Sequence, residues 1–417
     1  MKKFFKNIVT RLLWYQVKKL RNQHKIFVIG VVGSIGKTST KFAIAQALSG
    51  ARQVIWQKGN YNDISVVPLV FFSQKIPSLF NPFSWLRIFI QNYKQIKNYP
   101  FDTVVLELGT DGPGQIAEFK KFLQLDIAVV TAIAPEHMEF FNSIDDVAKE
   151  EFAVTKFAEK VIINKDLINK NLIPKKLEVI SYGLDADYSI ALNKNLLIKK
   201  NKQNWLVLNK ANSMAEAYSK VCAGVVADLL NVDATQITKQ LNSMEQIPGR
   251  LQFLMGVKGS VIIDDTYNAS PDAVINSLKL LYDQKTKYKI AILGSMNELG
   301  DFSKDEHHRI GSFCNPKRLE LVVTVGEDAN KYLASSAEEN GCVVKQFGNP
   351  YDAGKYVEGI LKNDTTILAK GSQNNVYLEE AVKQLLADPK DINKLVRQSE
   401  YWLEKKQNNF FKEQGKN

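Results

Sequence analysis

The sequence is poor in cysteine and histidine, and its first 25 residues contain no acidic residue at all. Three cysteines in 417 residues, Cys222, Cys314 and Cys342, lie far apart in the chain. Their spacing argues against a zinc site and a disulfide framework, so we expect a reducing compartment, the cytoplasm. A chain of this length folds as two or three domains, each with a core large enough to be stable without cross-links.

The absence of Asp and Glu from residues 1–25 concentrates the positive charge of the chain, +11 in total, in that segment. Its basic residues are Lys2, Lys3, Lys6, Arg11, Lys18, Lys19, Arg21 and Lys25. Apolar residues between them recur at helical spacing, which predicts an amphipathic helix in peripheral contact with an anionic membrane surface. The alternative is a helix packed on its own protein or on a partner chain. The segment is too charged to span a bilayer and lacks the features of a signal peptide.

The remainder of the chain has no basic stripe with interleaved aromatic residues, so we expect no nucleic-acid partner. From residue 26 onward, short apolar runs alternate with longer amphipathic stretches. This alternation predicts an α/β fold with mostly parallel sheets covered by helices. Strands are predicted at 26–32, 103–108, 127–133, 161–164, 188–192, 196–199, 205–208, 260–264, 289–293, 321–325 and 365–370.

A Pro-Gly-Arg break at 248–250 separates two series of such strands. We therefore predict four parts: a basic amphipathic helix over 1–25, a P-loop-containing domain with a mostly parallel central sheet over 26–246, a Rossmann-like C-terminal α/β domain over 247–390, and a polar tail over 391–417.

A glycine-bounded loop follows the first predicted strand and precedes a predicted helix. Its candidate nucleotide-binding residues are Gly33, Ser34, Gly36, Lys37, Thr38 and Ser39. Glycines let backbone N–H groups close around phosphate oxygens, a lysine supplies a point charge and a threonine hydroxyl can ligate Mg²⁺. The first glycine of the general P-loop pattern is Val31 here, so only the shorter form Gly-x-x-Gly-Lys-Thr is present. The loop predicts ATP binding; the alternative is an ordinary strand-to-helix turn.

Polar residues stand where other predicted strands end, which is where open α/β sheets bind ligands. Glu107 ends one such strand and is a candidate Mg²⁺ ligand beside Thr38. His137 follows the next strand and is a second candidate. Asp265 and Asn268 follow a strand of the second domain, in a turn suited to ribose hydroxyls and an adenine edge. The alternatives are a solvated carboxylate for Glu107 and a structural role for the histidine.

Two other segments give weaker signals of their roles. Residues 149–151, Lys-Glu-Glu, lie on a predicted helix and are typical of a solvated charged face. Residues 76–100 are unusually aromatic for a connection between strands. Such a segment either buries its rings on the sheet or forms a contact surface shared with the basic N-terminal helix.

Taken in order, several motifs resemble those of the Mur ligase family, over about residues 26–390. They are the loop at 33–39, Asn-Tyr-Asn-Asp at 60–63, Glu-Leu-Gly at 107–109, Pro-Glu-His at 135–137, Pro-Gly-Arg at 248–250, Asp-Asp-Thr-Tyr-Asn at 264–268, the stretch 294–300 with His307 after it, and Lys-Gly-Ser at 370–372. The resemblance implies ATP-driven amide-bond formation in peptidoglycan precursor synthesis, in which an amine such as D-alanyl-D-alanine is added to a muramoyl-peptide-like acyl donor. A substrate carboxylate would first be phosphorylated and then captured by the amine.

The resemblance also implies roles for individual residues. Lys37 would hold the β- and γ-phosphates, and Arg250 the transferring phosphoryl group. Thr38 and Glu107 would hold a first Mg²⁺ ion and His137 a second, which makes Lys37, His137 and Arg250 the candidate catalytic residues.

Six further residues receive roles in the same way. Asp265 and Asn268 would contact the nucleoside. Asn60, Asn62, Lys370 and Ser372 would lie toward the substrate. The partners so implied are a small cell-wall precursor and an amine; the oligomeric state stays open.

The sequence departs from the family pattern at three points. The family's domain for the UDP part of the substrate, normally ahead of the P-loop, is expected to be replaced here by the basic helix. Glu151 stands where the family usually has a lysine that is carbamylated to bind the second Mg²⁺, so we expect its carboxylate to serve that metal. Ser295 and Gln373 stand where relatives usually have an acid and an arginine.

Two alternatives to a ligase remain. A nucleotide-binding regulatory or scaffold protein that does not ligate would explain the lost lysine and the lost substrate domain. An amidating subunit that works with a glutamine amidotransferase also lacks the UDP-binding domain, but that relative carries a zinc-binding cysteine cluster, which this sequence does not have.

Overall fold

A computed structural model describes residues 2–58, 62–77, 81–135 and 138–411. As far as they are described, they form two compact units. The first comprises Met1–Pro135 and Phe140–Met244, and the second comprises Glu136–Glu139 and Glu245–Asn417.

The first unit is built on a nine-stranded sheet with the order β2-β3-β1-β4-β5-β6-β7-β8-β9. Neighbouring strands from β2 to β7 are parallel, whereas β7, β8 and β9 pair antiparallel. The strands are β1 Phe27–Val32, β2 Val54–Trp56, β3 Thr103–Glu107, β4 Leu125–Val130, β5 Ala158–Asn164, β6 Ile180–Gly183, β7 Tyr188–Leu192, β8 Asn195–Lys200 and β9 Gln203–Asn209.

Helices cover this sheet because their apolar faces recur at the helical period. Residues of α2 and α7 join the sheet in one buried core, including Ile44 and Val225. The helices are α1 Lys2–Gln23, α2 Lys37–Leu48, α3 Val67–Val70, α4 Pro82–Lys97, α5 Gln115–Glu118, α6 Ile144–Glu151, α7 Met214–Leu229 and α8 Ala234–Asn242.

The basic N-terminal helix packs on its own protein, as one of the two alternatives predicted. Val9 and Leu13 of α1 form a small core with Leu69, Trp85 and Ile88. The aromatic segment thus shares a surface with α1, and Trp85 is buried there; residues 78–80 of the segment lie outside the described residues. None of the helices in the described part of the chain has the length and apolar character needed to cross a bilayer.

The second unit contains a six-stranded sheet with the order β10-β11-β15-β12-β13-β14, parallel except for β10. Its strands are β10 Gln252–Met255, β11 Val261–Asp265, β12 Tyr288–Gly294, β13 Leu321–Val325, β14 Val344–Phe347 and β15 Thr365–Lys370. Its helices are α9 Pro271–Tyr282, α10 Ser303–Phe313, α11 Ala334–Glu339, α12 Pro350–Ile360, α13 Glu379–Leu385 and α14 Glu400–Phe411.

Buried ion pairs hold the last helix against the rest of the second unit. Lys406 of α14 is fully buried, and its ammonium lies 2.8 Å from a Glu379 carboxylate oxygen and 2.6 Å from one of Glu380. Arg397 donates to Glu379 as well, at 2.7 Å. A pair of carboxylates at the start of α13 therefore holds two basic residues of the C-terminal segment.

The predicted α/β fold is confirmed, with small differences in extent. The strand predicted at 127–133 is wrong at its C-terminal end, because β4 stops at Val130. Beyond it the chain pairs with the glycine loop instead, since the Ser34 N–H donates to the Ala132 carbonyl at 2.9 Å.

Candidate active site

The glycine loop between β1 and α2 has a backbone that requires glycine. Gly33 and Gly36 have φ of +119° and +89°, values that other residues rarely adopt. A Cβ on Gly33 would also lie 2.5 Å from the Thr131 hydroxyl. The loop leads directly into α2, whose first N–H groups have no partner within the helix. The predicted strand, loop and helix start are thus present in the order that anion binding needs.

Two side chains of the loop close it. The Lys37 ammonium donates to the Gly33 carbonyl at 2.5 Å, so its charge lies over the loop. The Ser34 hydroxyl donates to the Ala134 carbonyl and accepts from the Ala134 N–H, both at 3.0 Å. Ser34 therefore ties the loop to the segment after β4.

Glu107 lies at the end of β3 with its side chain buried and held on several sides. Its Oε2 accepts from the Thr38 hydroxyl at 3.1 Å and from the Lys41 ammonium at 2.9 Å. Its Oε1 accepts from the Asn62 amide at 3.4 Å, and its backbone N–H donates to Gln57 at 2.8 Å. The structure thus brings together Thr38, Glu107 and Asn62, three of the predicted site residues.

These residues fit a Mg²⁺ ion in their donor chemistry. A hydroxyl and a carboxylate are hard oxygen ligands, and Mg²⁺ in nucleotide sites uses one or two protein carboxylates beside phosphates and water. Within residues 2–58, 62–77, 81–135 and 138–411, no group of three His, Cys, Asp or Glu could hold a metal ion alone. Asn60 and His137, both predicted site residues, lie outside these ranges.

Glu150 and Glu151 are buried, so the interpretation of both as part of a solvated face is wrong; Lys149, by contrast, is exposed. The Glu151 carboxylate accepts from the Gly33 N–H at 2.8 Å, within the glycine loop. Glu150 accepts from the N–H groups of Gly114 and Ile116 at the start of α5, at 2.6 and 2.7 Å. The predicted role of Glu151 at a metal stays a prediction, but the side chain does lie at the loop.

Lys41 is a site residue that the sequence analysis missed. Its side chain is fully buried and forms an ion pair with Glu107. The available signal was its spacing, since Lys41 precedes Ile44, Ala45 and Leu48 by three, four and seven residues and so shares their buried face.

In the second unit, Asp265 and Lys370 lie at the ends of the paired strands β11 and β15. The Lys370 ammonium donates to Asp265 Oδ2 at 2.6 Å and to the Asn268 carbonyl at 3.0 Å. Ser277 also donates to Asp265, at 2.7 Å. Burial lowers the pKa of Lys370, while the neighbouring Asp265 acts in the opposite direction. Residues predicted for separate roles, nucleoside and substrate, thus form one buried ion pair.

Arg250 follows Gly249, whose φ of +64° turns the chain. Its guanidinium lies 4.0 Å from the centre of the Tyr267 ring, a cation–π contact. Arg397 donates to the backbone carbonyls of Thr266 and Tyr267 at 2.6 and 3.0 Å. The turn that contains Asp265 and Asn268 is therefore fixed by two arginines, of which only Arg250 was predicted.

Ser372 is buried, and its hydroxyl accepts from the Asn297 N–H at 2.9 Å. His307 is also buried: Nδ1 donates to the Ser303 carbonyl at 2.7 Å and Nε2 accepts from the Met296 N–H at 2.9 Å. Burial lowers the pKa of His307, in agreement with a neutral ring. Both side chains support the loop that follows β12.

Asp264 neighbours this site and is fully buried, which raises its pKa to about 6. Its Oδ1 accepts from the hydroxyl and the N–H of Thr266 at 2.6 and 3.1 Å. Its Oδ2 has no hydrogen-bond partner among the described residues.

Family profiles match both units. Residues 31–222 match the Mur ligase middle domain, and residues 249–373 match the Mur ligase glutamate ligase domain. Together with the glycine loop and the two α/β units, these matches show that the chain belongs to the Mur ligase family of ATP-dependent ligases.

Comparison with individual proteins of the family gives a more specific similarity. The chain is 27% identical over 375 residues to the UDP-N-acetylmuramoyl-tripeptide--D-alanyl-D-alanine ligase of Synechocystis sp., covering 88% of this chain and 76% of that protein. It is 25% identical over 377 residues to the enzyme of that name from Bacillus subtilis, covering 87% and 76%.

Two solved structures have the same fold. MurF from Acinetobacter baumannii aligns with a TM-score of 0.75 and 22% identity, covering 92% of this chain and 81% of that one. MurF ligase from Thermotoga maritima in complex with ADP aligns with a TM-score of 0.72 and 23% identity, covering 93% and 84%.

Proposed function

We propose that this protein is an ATP-dependent carboxylate–amine ligase of peptidoglycan precursor synthesis, which adds D-alanyl-D-alanine or a related amine to a muramoyl-peptide-like acyl donor. The names of its relatives support the substrate class. The observation that carries the proposal is the cluster of Lys37, Thr38 and Glu107 at the glycine loop, since this set of groups suits a nucleotide triphosphate with its metal ion.

The reaction has two steps. An oxygen of the donor carboxylate attacks the γ-phosphorus of ATP, and the bond from that phosphorus to the ADP oxygen breaks. The amine nitrogen then attacks the carbonyl carbon of the acyl phosphate, phosphate leaves with the bridging oxygen, and the nitrogen loses a proton. Such a transfer needs charge neutralisation and alignment more than a protein nucleophile.

The loop residues would supply this charge and alignment. Lys37 would leave the Gly33 carbonyl for the β- and γ-phosphates, which are stronger acceptors for an ammonium. Thr38 and Glu107, with His137 and Glu151, would hold Mg²⁺, which neutralises phosphate charge when bound. Lys41 holds the Glu107 carboxylate in place and is a positioning residue.

In the second unit we assign Asp265 and Asn268 to the nucleoside and Arg250 to the transferring phosphoryl group. Lys370 and Ser372, with Asn60 and Asn62 of the first unit, are assigned to the substrate. Lys370 and Asp265 form an ion pair. A ligand that binds to one of these groups therefore alters the electrostatic environment of the other, which supports a role for both residues in the same binding site.

We further propose that the enzyme works on the cytoplasmic side of the membrane, in peripheral contact with it through residues 1–25; whether its acyl donor is UDP-linked or lipid-linked stays open. The eight basic residues of this segment, with no acid among them, support the contact.

Isotope transfer tests the ligase reaction. With acyl donor labelled with ¹⁸O in its carboxylate, the released phosphate should carry the label, and ADP formation beyond one equivalent per enzyme should require the amine. Absence of label from the phosphate would contradict the acyl-phosphate route.

A pair of lysine variants tests the site. Lys37→Ala should lower ADP formation at least about 100-fold, because removing one charged group that stabilises a transferring phosphoryl group costs several kcal/mol. Lys149→Ala is the matched control, since Lys149 is an exposed lysine of the same unit. Equal turnover in both variants would refute the assignment of the loop.

A further inference from the structure

The helix α1 exposes a row of apolar side chains on the face that does not pack on the protein. Ile8, Leu12 and Tyr15 are 41%, 45% and 61% exposed. Their spacing of four and three residues places them on one side of the helix. The buried residues Val9, Leu13 and Val17 form a separate face of the same helix, so packing within the unit leaves this second apolar row uncovered.

The helix α4 exposes a similar row. Phe83, Leu86, Ile90 and Tyr93 are 81%, 57%, 49% and 46% exposed. They also recur at spacings of three and four residues, so they share one face. Scattered exposed apolar residues are normal on a protein surface, but seven of them on two packed helices form a patch that indicates a binding surface.

Contacts between the helices show that the two rows border one another. The Lys19 ammonium, next in the exposed row of α1, lies 4.0 Å from the centre of the Tyr93 ring. Beside it, the Gln16 amide donates to the Phe89 carbonyl and accepts from Asn92, both at 2.8 Å. The exposed rows of α1 and α4 therefore form one continuous surface, which we call the α1–α4 face.

The charge of the α1–α4 face has a single sign. Neither helix contains Asp or Glu. Exposed basic residues flank the apolar rows on both helices: Arg11, Lys18, Arg87, Lys94 and Lys97. An apolar strip with basic flanks is the pattern by which amphipathic helices lie at the boundary between acyl chains and anionic headgroups.

We propose that the α1–α4 face docks on an anionic phospholipid surface, with the two apolar rows inserted among the acyl chains and the flanking lysines and arginines at the headgroups. The inference rests on the proposed membrane contact of residues 1–25 and extends it to α4, which supplies four of the seven apolar side chains. A second copy of the chain fits less well, because two faces with only positive charge repel each other.

Vesicle sedimentation tests the proposal. The full chain should sediment with vesicles of phosphatidylcholine and phosphatidylglycerol, but not with vesicles of phosphatidylcholine alone. The variant Leu12→Gln/Leu86→Gln/Ile90→Gln should lower the partition coefficient at least about tenfold, because three apolar side chains no longer leave water. A matched control, Val207→Gln/Met255→Gln/Leu403→Gln, changes three exposed apolar residues elsewhere and should stay within about twofold of the wild type.

A second variant separates the charge contribution. Arg87→Gln/Lys94→Gln/Lys97→Gln should lower partitioning on anionic vesicles roughly 100-fold, since each basic residue near such a surface contributes about fivefold. All three residues are exposed, so folding should be kept, and thermal unfolding midpoints check this for both variants.

Several results would overturn the proposal. These are no binding to anionic vesicles, equal binding to neutral vesicles, or equal loss in the control and the face variant. A wild-type dimer that the face variant dissociates, without vesicle binding, would identify a second copy as the occupant. Ligase activity without vesicles is measured in parallel, on a soluble donor and on a detergent-solubilised lipid-linked donor, and should not change in the face variant. Lack of activity on both donors in a wild type that still binds vesicles would refute the ligase and leave the docking surface standing.

Discussion

Replacing Lys41 tests the most deeply buried charge at the loop. The Lys41 and Glu107 side chains are 0% and 3% exposed, and their charged atoms lie 2.9 Å apart. Lys41→Met keeps most of the side-chain volume but removes the ammonium, so the Glu107 carboxylate stays buried without the Lys41 charge beside it. Breaking a buried pair in this way costs about 3–5 kcal/mol.

The expected loss of stability is large enough to measure by thermal unfolding. In a unit of this size each kcal/mol shifts the unfolding midpoint by about 2–4 °C, so Lys41→Met should lower the midpoint of the first unit by about 6–20 °C. Differential scanning calorimetry without nucleotide or metal ion is the assay, because ligand binding would add its own stabilisation.

A double-variant cycle decides whether the ion pair is the cause. Glu107→Gln alone should also destabilise, because it leaves a buried ammonium. The double variant Lys41→Met/Glu107→Gln should be about as stable as the better single variant, since neither charge is then unpaired. Additive losses in the double variant, or a midpoint shift below about 2 °C for Lys41→Met, would refute the reasoning.

Two further predictions concern carboxylates. Glu151→Ala removes the acceptor of the Gly33 N–H and should weaken ADP binding about tenfold by calorimetric titration. Glu151→Gln keeps a hydrogen-bond acceptor and should bind ADP as the wild type does. An unchanged Mg²⁺ dependence in Glu151→Ala would place the metal ligand elsewhere. Asp264 has its pKa raised from 3.8 to about 6 by burial, so its stabilising contribution is present below pH 3.8 and lost as the pH rises through about 6. The stability of Asp264→Asn relative to the wild type should therefore rise by about 1 kcal/mol between pH 5 and pH 8 in thermal unfolding; a constant difference would contradict this.

The sequence was sufficient for features that depend on local pattern. The loop at Gly33–Lys37 was predictable because a buried strand, two glycines and a helix start follow one another within a few residues. Glu107 was predictable as a strand-end carboxylate, because parallel strands place their carboxyl ends at one edge of the sheet.

The burial of charged residues whose partners are distant in the sequence was not predicted. Lys41, Glu150 and Glu151 are charged residues at positions of apolar spacing, and charge alone favours the interpretation that they are exposed. Their burial depends on partners up to 118 residues away, as with Glu151 and Gly33. The short strands β2, β6, β10 and β14 were missed because three or four residues carry too little periodicity.

The buried position of Lys406 has a practical consequence for handling the protein. By composition the C-terminal segment is the part that one would trim before expression, since it is polar and lies outside the two family profiles. Trimming ahead of Glu400 would remove the Lys406 ammonium from Glu379 and Glu380 at the start of α13 and so destabilise the second unit. An affinity tag is better appended after the final residue than substituted for the last helix.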